Sequence, residues 1–320
     1  MRTIFAALAL LLTLAAACGG GDASTPSLTA TAPAVTRTPK PTLKPSPSPS
    51  PTPQPTPQPA ASIDLTGSQP RQGGFLVVRL LYPPAGLPDA TVYLDGVAYP
   101  MLSDTGHLYG MIGIPTWFTV GDYPLEVDSS DGSVWSASVS IGDGGFQYEN
   151  IEVPPQTAAL LTDTARIDAE RARVDQVLAG FTQQRYWSGP WIQPAEGIVS
   201  NPFGLQRSFN GGPYSPHTGT DLANAEGTPI YASATGVVAM AETLFLYGNS
   251  VIIDHGAGVF SSYNHMQSIV VAPGQAVNRG DLIGYMGQTG FADGAHVHWE
   301  AIVHGVRVDP MLWTQAAVEP

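Results

Sequence analysis

Five of the seven histidines in this 320-residue chain fall between His217 and His298, and four of them sit in three short segments. The segments are His217-Thr-Gly-Thr-Asp221, Tyr263-Asn-His265-Met266 and His296-Val-His298-Trp-Glu300. Imidazoles and carboxylates can hold a divalent metal and move protons near neutral pH. Residues 278–283 and 296–303 read as strands, since Val297, Trp299 and Ile302 are β-formers in turn-bounded runs. On a strand, positions i and i+2 face the same way, so His296 and His298 project side by side. Such a pair suits a metal ligand next to an acid/base partner. Gly219 and two threonines between His217 and Asp221 disfavour a helix, and an extended or turned chain can aim both side chains at one ion. Together the segments supply two or three neutral imidazoles and one carboxylate, with no cysteine nearby. That set suits zinc, with one position left for a water whose pKa the metal lowers to about 7.

Taken in this order, H-x-x-x-D, Y-x-H-M and H-x-H-x-E resemble the lysostaphin-like, LytM-type zinc endopeptidases that cut peptidoglycan. The flanking text is similar to that family too: Asn201-Pro-Phe-Gly204, Gly227-Thr-Pro-Ile-Tyr-Ala232, Val251-Ile-Ile-Asp-His-Gly256 and Gly280-Asp-Leu-Ile-Gly-Tyr-Met-Gly-Gln-Thr-Gly290. The resemblance covers about residues 190–315 and implies a β-sheet or barrel-like metallopeptidase domain at 190–320 holding one zinc. It implies that His217, Asp221 and His298 bind the metal. It also implies that His265 and His296 are catalytic without ligating it, one as general base and one as hydrogen-bond donor to the developing oxyanion. Some relatives use a tyrosine just before the first zinc histidine; the matching position lies near Phe209 or Gly211, and Tyr214 is the available substitute. His255 and His304 read as structural. Asp254 and Glu300 could each orient a histidine, but solvated carboxylates are the expectation.

The remaining elements must position these residues. Residues 62–153 read as short strands with turn signals at Asp95-Gly96 and Asp131-Gly132, a small β-sandwich carrying no chemistry of its own. Spacer, wall-binding and partner-binding roles are open to it. From Leu160 the apolar period lengthens, with Ile167, Val174 and Phe181 recurring every seven residues, so one connecting helix is expected within 154–189. Asp168–Arg171 and Glu170–Arg173 are i,i+3 pairs on its polar side. The fold class is therefore mainly β with one connecting helix.

The N-terminus adds an address. Residues 1–18 combine Arg2, an apolar run and Leu14-Ala-Ala-Ala-Cys18, which resembles the lipobox of bacterial lipoproteins; the resemblance implies lipidation of Cys18. Residues 19–61 hold twelve of the 30 prolines and read as a disordered stalk, about 65 Å long over 39–59 if extended. The chain is thus expected to be exported and lipid-anchored at the outer face of the cytoplasmic membrane or in the envelope, facing peptidoglycan peptides. A net charge of −13 argues against a nucleic-acid partner. With no lysine after Lys44, a biotinyl or lipoyl carrier is excluded. Two further readings are an inactive family member that binds and activates another wall hydrolase, and a purely structural wall-binding lipoprotein. All five site positions are occupied, which favours the enzyme.

Overall fold

The computed structural model describes residues 59–87 and 89–320. The signal segment, Cys18, Lys40, Lys44 and nearly all of the stalk lie outside the described residues. The protein is mainly β. Its first strands are β1 (Ser62–Asp64), β2 (Phe75–Leu81), β3 (Ala90–Leu94), β4 (Val97–Pro100), β5 (Leu102–Asp104), β6 (His107–Gly113), β7 (Gly121–Ser129), β8 (Val134–Ile141) and β9 (Tyr148–Ile151). Helices α1 (Pro155–Leu160) and α2 (Thr164–Leu178) follow. Then come β10 (Ile198–Asn201), β11 (Gln206–Phe209), β12 (Ser215–Pro216), β13 (Thr220–Ala223), β14 (Pro229–Tyr231), β15 (Gly236–Thr243), β16 (Asn249–Gly256) and β17 (Val259–Ile269). The chain closes with β18 (Ala276–Val277), β19 (Leu282–Met286), β20 (His296–Val303), β21 (Val306–Val308) and α3 (Leu312–Gln315).

Two four-stranded sheets, β1-β2-β6-β5 and β4-β3-β7-β8, face each other between residues 62 and 141. In β3 and β7 burial alternates, sending Val92, Leu94, Leu125 and Val127 inward. Asp95 and Gly96 both have positive φ, the backbone a two-residue hairpin of this twist requires. Strand β2 instead reads as an unbroken apolar run because both of its faces are covered. Leu76, Val78 and Leu80 enter the sandwich core, while Phe75 and Val77 join a second core with Tyr109, Met111, Trp187, Trp191 and Trp313. Sandwich and C-terminal sheet thus share one apolar seam.

The helical stretch differs from the single helix its heptads suggest. It breaks at Leu161–Asp163, where the Asp163 side chain accepts from the Arg166 amide and caps α2. Val174 and Leu178 bury against Met240, Ile252, Phe260 and Ile302, while Phe181 lies past the helix end, stacked on His304. Asp168–Arg171 forms as expected, at 3.4 Å. Glu170–Arg173 does not: Arg173 pairs with Glu242 of β15, and Glu170 turns to backbone amides described below. No helix among the described residues is long and apolar enough to cross a membrane.

Ten strands build the C-terminal sheet, with β10-β13-β20-β17-β16-β15-β18 as its main path and β19 also pairing with β17. Central strand β20 sorts its residues by face. Val297, Trp299, Ala301 and Val303 enter the core, leaving His296, His298 and Glu300 on the other side. The 278–283 run is a strand only from Leu282, since Asn278 to Asp281 is a turn closed by the Asp281 carboxylate.

Candidate active site

Strand register brings the separated motifs together. Asp221 of β13 pairs with His298 of β20, and Asn264 of β17 pairs with His298 from the other side. Directly paired residues share a face, so Asp221, Asn264 and His298 are coplanar neighbours. His265 needs a special device: on a regular strand it would share the core face of Tyr263. The ladder instead slips between Asn249/Val251 and Met266, and His265 adopts φ +62. This bulge re-aims its ring into the cleft, 4.8 Å from the His296 ring and 6.1 Å from that of His298.

His217 Nε2, Asp221 Oδ1 and His298 Nδ1 converge, with separations of 2.9 Å between the two nitrogens and 3.0 and 2.8 Å from each to the oxygen. Among the described residues this is the one group of three His, Cys, Asp or Glu side chains placed to hold a metal together. The outward nitrogens fit that role. His217 Nδ1 donates to Pro202 O at 3.0 Å, and His298 Nε2 donates to Glu300 Oε1 at 3.2 Å. Both inward nitrogens therefore present lone pairs, an arrangement that a cation resolves. With ligand distances of 2.0–2.1 Å, the edge of a tetrahedral site is about 3.3 Å, close to the observed triangle.

Electrostatics agree with a cation at this point. Burial would raise the Asp221 carboxyl, but the His217 and His298 imidazoles hold it well below the usual carboxylate range. Burial would raise Glu300 as well; the charge of Arg307, with His298 and Thr218, brings it down to about 2. Burial would lower His298, yet Asp221 and Glu300 carry it up to about 9. Two ionised, desolvated carboxylates thus flank His298, Asp221 at its inward nitrogen and Glu300 at its outward one. Asn201 Nδ2 donates to Asp221 Oδ2 at 3.2 Å, leaving Oδ1 for the ion. Gly219 is demanded sterically, because a Cβ there would sit 2.9 Å from the His298 ring.

His265 and His296 flank the triangle with a common pattern. His265 Nδ1 donates to Thr289 O at 2.8 Å and His296 Nδ1 to Gly294 O at 2.9 Å, so each turns Nε2 away from its carbonyl partner. His296 Nε2 lies 3.9 Å from Asp221 Oδ1. Burial, with His296 and His298 nearby, lowers His265 to about 3, keeping it a neutral base at neutral pH. Both histidines line a cleft of about 420 Å³, together with Arg207, Phe209, Tyr247, Phe291 and part of α2.

Other sequence-level candidates are placed elsewhere. His255 is buried between Thr235 O and the Ser261 hydroxyl, beside Trp191. His304 sits between Tyr99 and Phe181. Asp254 binds the Thr182 hydroxyl and the Gly256 amide and orients no histidine. Glu300, expected to be solvated, is 1% exposed and orients His298; β20 carries it to the cleft face, where Thr218 donates to it at 2.7 Å. Tyr214 is 49% exposed, hydrogen-bonded to Asn150 and absent from the cleft lining. The cleft's tyrosine is Tyr247, whose ring stacks over His298 with centroids 6.0 Å apart. It lies in no quoted motif, and no local spacing signals it.

Residues 215–310 match the sequence profile described as peptidase family M23. They are a peptidase family M23 domain. The five predicted site residues, His217, Asp221, His265, His296 and His298, fall inside it. The chain is 45% identical over 97 residues to the peptidoglycan DD-endopeptidase ShyA of Vibrio cholerae, covering 30% of this chain and 23% of that protein. It is 39% identical over 113 residues to the DD-carboxypeptidase/endopeptidase Mpg of Neisseria meningitidis, covering 35% and 26% respectively. The chain therefore spans about a quarter of the length of these curated relatives. A solved chain from Pseudomonas aeruginosa, assigned to peptidase M23, superposes with a TM-score of 0.58 at 28% identity. It covers 77% of this chain and 95% of its own, more than the M23 domain alone accounts for.

Proposed function

We propose that this protein is a zinc endopeptidase that hydrolyses peptide bonds in peptidoglycan. The carrying observation is the convergence of His217 Nε2, Asp221 Oδ1 and His298 Nδ1 beside two non-ligating imidazoles in one cleft. Zinc bound there would supply Lewis acidity, polarising the scissile carbonyl and making water acidic enough to attack near neutral pH. The chain's own groups do the rest. His265 and His296, anchored through Nδ1, offer Nε2 to accept a proton from the attacking water and return it to the leaving amine. Arg207 is a fixed cation in the cleft wall, available to negative charge on the substrate. Glu300 and the Pro202 carbonyl hold the ligand rings so that neither reorients between turnovers.

The substrate class is supported by relatives named as peptidoglycan DD-endopeptidases. An envelope location is supported by the sequence of residues 1–61, with Cys18 as lipid anchor and the proline tract as stalk. The test is mass spectrometry of peptides released from purified cell walls by the full chain, with and without chelator, beside metal analysis. Chelator-sensitive release and one zinc per chain are expected. A chain that binds no zinc and leaves walls intact sinks the proposal. A His217→Ala variant that still supports cell separation in living cells would instead favour the reading of an inactive member that activates another wall hydrolase. For the anchor, Cys18→Ala should free the protein from the membrane fraction and abolish its labelling by fatty acid.

A further inference from the structure

Helix α2 lies outside the M23 domain, yet Ile167, Glu170, Val174 and Asp175 form one wall of the cleft. Glu170 is the unusual member. It is 8% exposed, and a buried carboxylate is costly unless hydrogen-bonded. Its oxygens accept the backbone amides of Leu246 at 2.8 Å and Tyr247 at 3.4 Å, in the turn joining β15 to β16. Arg166, one helical turn earlier, places its guanidinium 3.8 Å over the Phe245 ring of the same turn.

The opposite side of that turn holds the active site. Tyr247 O accepts the His265 backbone amide at 2.8 Å, and Leu246 O accepts that of Phe291 at 2.7 Å. The Asn249 amide donates to Thr289 Oγ1 at 2.9 Å, and Thr289 O receives the His265 ring proton at 2.8 Å. Tyr247 also covers His298. His265 occupies a left-handed backbone conformation that a side-chain-bearing residue keeps only when its surroundings over-determine it. The helix needs no buried charge merely to dock, since Val174, Leu178 and the Arg173–Glu242 pair already fasten it to β15 and its neighbours.

We propose that Glu170 is a positioning residue of the active site: by fixing the Leu244–Gly248 turn it sets the backbone of His265 and the cover over His298. Helix α2 then belongs to the catalytic unit although it lies outside the family segment. The catalytic half of this inference rests on the peptidase reading above.

The test compares Glu170→Ala, Glu170→Gln and Arg173→Ala in the full chain by cell-wall peptide release, metal content and amide hydrogen exchange. For Glu170→Ala, kcat should fall on the order of 100-fold with KM nearly unchanged, the cost of misplacing a reacting group by about 1 Å. Metal content should stay at the wild-type level. Exchange at Leu246, Tyr247 and His265 should quicken about tenfold or more, as expected for a lost hydrogen bond to a charged group. Glu170→Gln keeps one acceptor, so it should protect Leu246 while freeing Tyr247 and His265, with an intermediate kcat; it decides the matter if the alanine variant does not fold. Arg173→Ala should match wild type in all three readouts. Wild-type exchange in both Glu170 variants, or equal losses from Arg173→Ala, overturns the proposal. An unmodified chain that releases nothing from cell walls overturns the peptidase reading alone, because the exchange comparison needs no substrate.

Discussion

His255 and His298 are both buried in the same sheet, on the two strands that flank β17, and their surroundings drive them in opposite directions. Around His255 stand neutral partners: Thr235 O at 2.9 Å, the Ser261 hydroxyl at 2.8 Å and the Trp191 ring. Burial therefore dominates and lowers it to about 4. Around His298 stand Asp221 and Glu300, and the same burial is outweighed, taking the ring up to about 9. Histidine and burial are common to both; the carboxylates are not. What distinguishes His298 in the candidate metal centre from His255 is negative charge held out of water.

The sharpest way to break this contrast is to remove a ligand. Asp221→Ala should abolish metal binding and lower cell-wall cleavage by about 10³-fold or more, corresponding to several kcal/mol of lost charge stabilisation. Stoichiometric zinc in that variant would end the assignment. His265→Ala tests the flanking imidazole separately. Metal analysis should be unchanged while kcat drops by about 10²- to 10⁴-fold. Glu300→Gln keeps the shape but removes the charge that orients His298, so zinc affinity should weaken by about 10- to 100-fold in competition with a chromophoric chelator.

The smallest effects belong to the neutral histidine. His255→Phe should cost about 1–3 kcal/mol in denaturant unfolding, from the hydrogen-bond partners it strands, with zinc content unaltered. It should also flatten the acid limb of stability. Because the folded pKa of about 4 lies below the unfolded value of 6.5, the unfolded chain binds the extra proton. The contribution is complete above pH 6.5 and is lost as pH falls toward 4, amounting to about 3 kcal/mol in the wild type. Loss of metal in His255→Phe would erase the distinction between the two sites.

Much of the candidate site was legible because strand alternation is local. His296 and His298 on one face, with Val297 and Trp299 on the other, follow from period two alone. His265 was harder, since the same rule sends it into the core with Tyr263, and only the bulge returns it to the cleft. Glu300 looked solvated because sequence does not reveal that β20 is flanked on both sides. Glu170 looked like half of an intrahelical ion pair because its true partners, two amides 76 and 77 residues away, carry no side-chain signature. The sandwich hairpin at Asp95-Gly96 was readable from turn chemistry. The continuous apolar run of β2 became intelligible only once its second face was seen against Trp313.

That seam of Phe75, Val77, Tyr109 and Met111 against the C-terminal tryptophans bears on how the protein can be cut and recombined. An M23 domain excised at the family boundary would lose Trp187, Trp191 and Trp313 together with the sandwich residues, leaving the rest of that core open to solvent and prone to self-association. Any exchange of the N-terminal module must therefore bring a matching apolar face with it. The two halves are expected to melt in one transition, so a lesion deep in the sandwich should reach the cleft as a loss of folded molecules.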